Sequence, residues 1–298
     1  MKKWFLFTLA LLLTLSMASG SAQIKEITGS LPNDGRTVMY TIVLPEENAE
    51  SYNFVVMNHG HGGGREEGGG FARLANALAE GGYASIRMDF AGTNQSPDPF
   101  TQNVLSLMIS DSNACLNYVL ENYPVNEDKL AILGYSMGGR MTMAILNEKD
   151  NPYDAGIMLA GSLDTGTNMM NNFFSGKEAR ENFEKEANGE KGFVEFTTQY
   201  GQVQQLSKEW FAEMHASTPL EDIKFSLPML VIYGNQDTSV PPEIAKLAAE
   251  KLTAAGSTVQ TLEIPEANHG YGFYSDQPEV TNALQQGVVD FLNSTFAE

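Results

Sequence analysis

Apolar positions fall along this chain in short blocks, and their spacing switches between two regimes. Residues 24–44 read as two strands around Pro32-Asn33-Asp34-Gly35, whose Asn-Asp-Gly chemistry predicts a tight turn. "NFVVMNHG" (residues 53–60) is a short apolar run ending in glycine, as a buried strand would be. Phe71, Leu74, Ala75 and Leu78 then step by three and four, which predicts a helix over residues 67–80, ended by Gly81 and Gly82. The regimes go on trading places. Further strands are predicted at residues 83–90, 129–136, 154–162, 227–237 and 258–269. Helices are predicted over residues 104–123, with Leu105, Met108, Ile109, Ser112, Leu116 and Val119 on one face, over 137–148 and 242–255, and at the C-terminus around Leu284, Val288 and Phe291.

Strands that alternate with helices, and are apolar without internal alternation, predict an α/β fold: a mostly parallel central sheet, helices on both faces, right-handed crossovers. One stretch breaks the rhythm. Residues 163–225 show no core-strand pattern and are rich in Asn, Glu, Met and aromatics, as in "NMMNNFF" and "EWFAEMH". So long a segment is not a structureless loop in a compact domain, which predicts an inserted, mainly helical cap. No internal repeat or long linker divides the chain, so residues 23–298 are expected to form one domain.

Composition narrows the picture. With 298 residues, 42% of them hydrophobic, the chain can build one substantial core. Lys2 and Lys3, an apolar run over residues 4–15 and small residues after it predict a signal peptide over residues 1–22, cleaved after Ala22. The expected protein is secreted or periplasmic and leaves the membrane after cleavage; a retained N-terminal anchor is the alternative. The net charge of −19 disfavours nucleic acid and anionic membrane surfaces as partners. Cys115 is the single cysteine, so an exported chain has no internal disulfide; the residue reads as helix core rather than as a thiol nucleophile.

The chemistry centres on Gly134-Tyr135-Ser136-Met137-Gly138, directly after one predicted strand and directly before a helix. G-x-S-x-G in that context fits a nucleophile elbow, where a sharp turn needs glycines to avoid Cβ collisions and lifts the serine clear of the sheet. A serine hydroxyl needs a base. Of the four histidines, His269 follows the last predicted strand, and parallel strand ends converge at one rim. Asp237, after the penultimate strand, can orient that base, although such an aspartate also caps helices. The order Ser136, Asp237, His269 is that of one fold class. Oxyanion donors are expected from the backbone N–H groups of Met137 and His61, with Gly60 or Gly62 replacing His61 if the register slips. His59-Gly60-His61 could be half a metal site, but no matching Cys or His cluster exists elsewhere, so neither metal nor cofactor is expected. His59, Tyr135 and Trp210 are candidate substrate contacts, Trp210 packing inward with Phe211 and Met214 or lining an acyl pocket.

On His59-Gly60, the turn from Asp89 to Ser96, the Gly134–Gly138 pentapeptide, Gly234 with Asp237, and Asn268-His269-Gly270, the chain resembles the α/β-hydrolase superfamily. It is similar to feruloyl or cinnamoyl esterases and to serine aminopeptidase-like members. One departure is the turn: Gly92 is followed by Thr93 and Asn94, where a second glycine is usual, and Asn tolerates left-handed backbone. The resemblance implies hydrolysis through an acyl-enzyme, with Ser136 attacking, His269 moving the proton and Asp237 holding the imidazole. The expected substrate is a small-molecule or carbohydrate-linked ester. A peptidase with the same triad, using Glu209, Glu213, Glu221 or Asp222 to capture an amine, and a non-catalytic binding member of the fold are the alternatives. Asn94-Gln95-Ser96 and Asn293-Ser294-Thr295 fit glycosylation sequons.

Overall fold

A computed structural model describes residues 24–45, 49–198 and 201–297. The predicted signal peptide lies outside the described residues. In chain order the elements are β1 (Lys25–Asn33), β2 (Arg36–Leu44), β3 (Tyr52–Asn58), α1 (Gly70–Glu80), β4 (Tyr83–Asp89), α2 (Leu105–Asn122), β5 (Val125–Tyr135), α3 (Met137–Leu146), β6 (Ala155–Leu159), α4 (Gly166–Phe173), α5 (Lys177–Ala187), β7 (Phe193–Thr197), β8 (Val203–Ser207), α6 (Lys208–Ala216), β9 (Met229–Gly234), α7 (Pro242–Ala254), β10 (Val259–Ile264) and α8 (Pro278–Thr295).

Eight strands form one sheet in the order β1-β2-β4-β3-β5-β6-β9-β10. β2 is antiparallel to both its neighbours, and the other pairings are parallel. The inner strands β3, β4, β6 and β9 are buried on both faces, which explains their apolar runs. On β3, Phe54 and Val56 enter the core layer that contains Met108, Cys115 and Leu252. Their neighbours Val55 and Met57 enter the opposite layer, with Phe71 and Leu74 of α1 and Leu284 and Val288 of α8. Cys115 is wholly buried and unpaired, and burial raises its thiol pKa far above the ordinary value.

The register brings the carboxyl ends of the parallel strands to one rim. Asn58 pairs with Gly134, Tyr135 with Leu159, Leu159 with Ile232, and Gly234 with Ile264. The segments leaving that rim therefore carry His61, Ser136, the cap, Asp237 and His269.

The cap differs from the expectation in one respect. α4, α5 and α6 are helical, but β7 and β8 pair as an antiparallel two-stranded sheet between α5 and α6. Val194 and Leu206, opposite each other, are buried, so one face of this ribbon closes the cap's own core. That core is aromatic. Phe174 lies between Phe183, Phe196, Trp210 and Phe211 at centroid separations of 5.1 to 6.0 Å, the range in which ring pairs add to area burial.

Candidate active site

Ser136 joins β5 to α3 with φ 53° and ψ −112°, a conformation that costs an ordinary residue energy and is held by its surroundings. Its N–H donates to Leu159 O at 2.9 Å, and its own carbonyl accepts from the Ser162 N–H at 2.9 Å. A Cβ on Gly134 would collide with the Gly138 backbone, and one on Gly138 would collide with the Asn58 carbonyl. The two glycines thus let three backbone segments meet around one hydroxyl.

That hydroxyl lies 3.1 Å from His269 Nε2, and His269 Nδ1 lies 2.8 Å from Asp237 Oδ2. Asp237 is buried, and its other oxygen, Oδ1, accepts the Ser239 and Val240 N–H groups, each at 2.9 Å. With one oxygen fixed by backbone, the second has a defined direction toward the imidazole. His269 is held from behind by Tyr135, which donates its hydroxyl to His269 O at 2.6 Å and lays its ring at 5.3 Å from the imidazole. Tyr135, a candidate substrate contact, is therefore buried behind the histidine.

The loop after β3 faces the start of α3. His59 is buried with both ring nitrogens engaged: Nδ1 donates to Gly60 O at 2.7 Å, and Nε2 accepts the Phe90 N–H at 3.3 Å. Burial lowers its pKa to about 4, so the ring is neutral. No nitrogen remains for a substrate; the ring fixes the loop instead. In a trans peptide, C=O and N–H point in opposite directions. By tying the Gly60 carbonyl inward, His59 turns the His61 N–H outward. The Gly60 N–H is taken by Glu67 Oε1 at 2.7 Å, which removes it as an oxyanion donor. Among the described residues, the Met137 and His61 N–H groups have no protein acceptor.

Glu67 is buried under this loop, and desolvation raises its carboxyl to about pKa 7 against the lowering pull of the Tyr274 hydroxyl and the Gly60 N–H it accepts. The loop is further pinned by Arg65, whose backbone N–H and guanidinium both donate to Asp89 at the end of β4. Asn94 donates to the same carboxylate and has φ 44°, so asparagine fills the left-handed position in place of glycine.

Trp210 is buried in the cap, and its ring, with those of Phe100 and Phe173, surrounds the His61 ring edge to face at 5.1 to 5.7 Å. It packs around the loop rather than lining an open acyl pocket. Three of the four acidic groups considered for amine capture have partners of their own. Glu213 accepts the Ser106 N–H and hydroxyl at the start of α2, Asp222 pairs with Lys224, and Glu209 with Lys208.

Sequence reasoning passed over four residues. Gln202 and Gln204, at the start of β8, reach the 61–62 loop. Glu67 underpins that loop from the core side. Arg140, one turn after Ser136, donates to Ser217 O and Oγ and to Asp164 O, so it ties together both ends of the cap insertion. An arginine in the mostly apolar stretch of residues 137–146 was the available signal; Glu67 left none.

Residues 70–298 match the sequence profile of the prolyl oligopeptidase family. Esterase LipC of Mycobacterium tuberculosis is 26% identical over 228 residues, 75% of this chain; the chain spans about half the length of that curated relative, 53%. Among solved structures, Est1E from Butyrivibrio proteoclasticus with ferulic acid bound superposes with a TM-score of 0.71 at 19% identity, over 91% of this chain and 100% of that one. The α/β hydrolase GrgF from a Penicillium species gives 0.69 at 15% identity, over 93% and 100%. These superpositions establish the fold as that of the α/β hydrolases.

Proposed function

The chain belongs to the prolyl oligopeptidase family, a group of α/β-hydrolase-fold serine hydrolases, and within it we propose that this protein cleaves carboxylic esters through an acyl-enzyme. The observation that carries this reading is the unbroken line of two hydrogen bonds from Asp237 through His269 to Ser136, ending on a serine in strained backbone. Ser136 Oγ attacks the ester carbonyl while His269 Nε2 takes its proton. Asp237 holds the tautomer with hydrogen on Nδ1 and stabilises the imidazolium that forms. The tetrahedral oxyanion is received by the Met137 N–H, at the positive end of α3, and by the His61 N–H. The imidazolium then protonates the departing alkoxide, and water repeats the sequence in reverse to release the acid.

Aromatic-acyl and other small esters are the proposed substrates, supported by the resemblance in fold to Est1E, whose solved structure has ferulic acid bound. The family description favours peptides as a second reading. Against it, Glu213 is held by Ser106, and Glu209 and Asp222 sit in exposed ion pairs with Lys208 and Lys224. Parallel assays of p-nitrophenyl acetate, ethyl ferulate and an aminoacyl-anilide separate the two. Ester turnover with a silent anilide is expected, and Ser136→Ala should lower kcat by roughly 10³-fold or more. Turnover of the anilide alone would replace the ester reading. Export is part of the proposal, on the N-terminal pattern, and a mature N-terminus at Gln23 is the expected result of sequencing the native protein.

A further inference from the structure

The loop bearing His61 is completed by residues that belong to the cap. Gln202 Nε2 lies 3.0 Å from Gly62 O, Gln204 Nε2 lies 3.0 Å from Gln202 Oε1, and Gln204 Oε1 lies 2.8 Å from His61 Nε2. Hydrogen-bond polarity has one consistent solution around this ring. A carbonyl only accepts, so Gln202 must present its NH₂ to Gly62 and its oxygen to Gln204. Gln204 must then donate to that oxygen and offer its own to His61. His61 is left as the donor, protonated at Nε2. Its Nδ1 is shut off from solvent with no partner, and burial, the main influence on the ring, lowers its pKa to about 4, so the neutral tautomer that the ring needs is the one present.

The ring bridges the left-handed point of the loop. Gly62 has φ 66°, and a Cβ there would strike the Gln204 amide, so the loop and the cap strand are fitted to each other. On the core side the Gly60 carbonyl is tied to His59; on the cap side His61 and Gly62 are tied to the two glutamines. Residue 61 is thus held at both ends, with its N–H between them.

We propose that Gln202 and Gln204 are positioning residues for the oxyanion site: the cap, by closing this hydrogen-bonded ring, holds the His61 N–H in line for the developing charge. The proposal rests on the reading that His61 supplies one of the two donors. It makes the cap part of the chemical step and not only a cover over the substrate. Acylation and deacylation both pass through an oxyanion, so both are affected whichever limits turnover.

Gln204→Leu removes the ring at its centre. On p-nitrophenyl acetate its kcat should fall roughly 10- to 100-fold with KM within about threefold, less than the loss on deleting a donor outright. Gln204→Glu keeps the acceptor for His61 but loses the donor to Gln202, and should retain more activity than the leucine variant. Val203→Ala, on the exposed side of the same strand, should match wild type. Labelling of Ser136 by a fluorophosphonate should slow in the order wild type, Gln204→Glu, Gln204→Leu. Wild-type labelling and kcat in a folded Gln204→Leu would overturn the proposal and leave the hydrolase reading standing. If Gln204→Leu does not fold, Gln204→Glu with full kcat overturns it equally. A rise in KM alone would overturn it too, since it would make the glutamines substrate contacts. Absence of label on wild-type Ser136 would end the hydrolase reading and this proposal with it.

Discussion

The core wall of the site and its cap wall are built by different means. Ser136, Asp237 and His269 each emerge from a strand end of one parallel sheet; backbone groups aim the first two, the Leu159 carbonyl on Ser136 N and the Ser239 and Val240 amides on Asp237, and the aspartate in turn aims the imidazole, whose own carbonyl the Tyr135 hydroxyl holds. The cap wall meets the core through side chains across a seam: Gln202 and Gln204 onto the 61–62 loop, Glu213 onto Ser106, Arg140 onto Ser217 and Asp164. Backbone-aimed groups keep their direction as long as the sheet exists. Groups aimed across a seam depend on a few polar contacts, each worth about 1 kcal/mol net. The chemistry on the core side should therefore fail at one residue, and the cap side should fail by degrees.

The sharpest separation is Asp237→Asn. The amide can still accept the Ser239 and Val240 N–H groups, so the fold should survive. His269 loses its orienting charge, and kcat should drop on the order of 10³- to 10⁴-fold with an unchanged thermal midpoint. Arg140→Met comes next. Arg140 is wholly buried and Asp164 largely so, and removing the cation strands the Ser217 and Asp164 groups it holds. Denaturant unfolding should show a loss of about 3 kcal/mol, and limited proteolysis should cut first near residues 164 and 217. An intact cap in that variant would erase the contrast between the two walls.

Glu67→Gln tests the core side of the loop through pH. Burial raises the Glu67 carboxyl from the ordinary 4.5 to about 7. Below pH 4.5 the group is protonated in folded and unfolded chains alike. Between 4.5 and about 7 only the unfolded chain releases the proton, so stability drains as pH climbs through this window. Urea midpoints measured across it should decline less in the glutamine variant than in wild type; parallel curves would remove Glu67 as the cause. The smallest effect is expected from Glu213→Gln, which removes a charge from the partly exposed start of α2. It should cost less than about 1 kcal/mol by thermal unfolding and leave kcat within twofold.

The same contrast governs what the sequence made legible. The core strands announced themselves because both faces are buried, and the serine, aspartate and histidine could be placed because parallel strands end at a common rim. Asn94 could be placed too, since its left-handed backbone needed a residue that tolerates it. The β7–β8 ribbon was hidden by its composition. Val194 and Phe196 in one strand and Gln204 and Leu206 in the other do alternate, but a glutamine sits where an apolar residue would have marked the buried face. His59 offered two donors or acceptors to any ligand in principle; only the path of the chain reveals that Gly60 and Phe90 consume them. Gln202 and Gln204 act through contacts with residues some 140 positions away, and Glu67 reaches back across a loop to Gly60 and across the fold to Tyr274; no periodicity reports such contacts.

The lone cysteine has a practical consequence. Cys115 is sealed in the core with its thiol held protonated, so alkylating reagents have no target in the folded native chain. A cysteine introduced at the exposed Val203 and another on the outer face of α1 would be the only reactive pair. Spin or fluorescent labels placed there could follow the separation of ribbon and sheet during turnover, with no background substitution to make first.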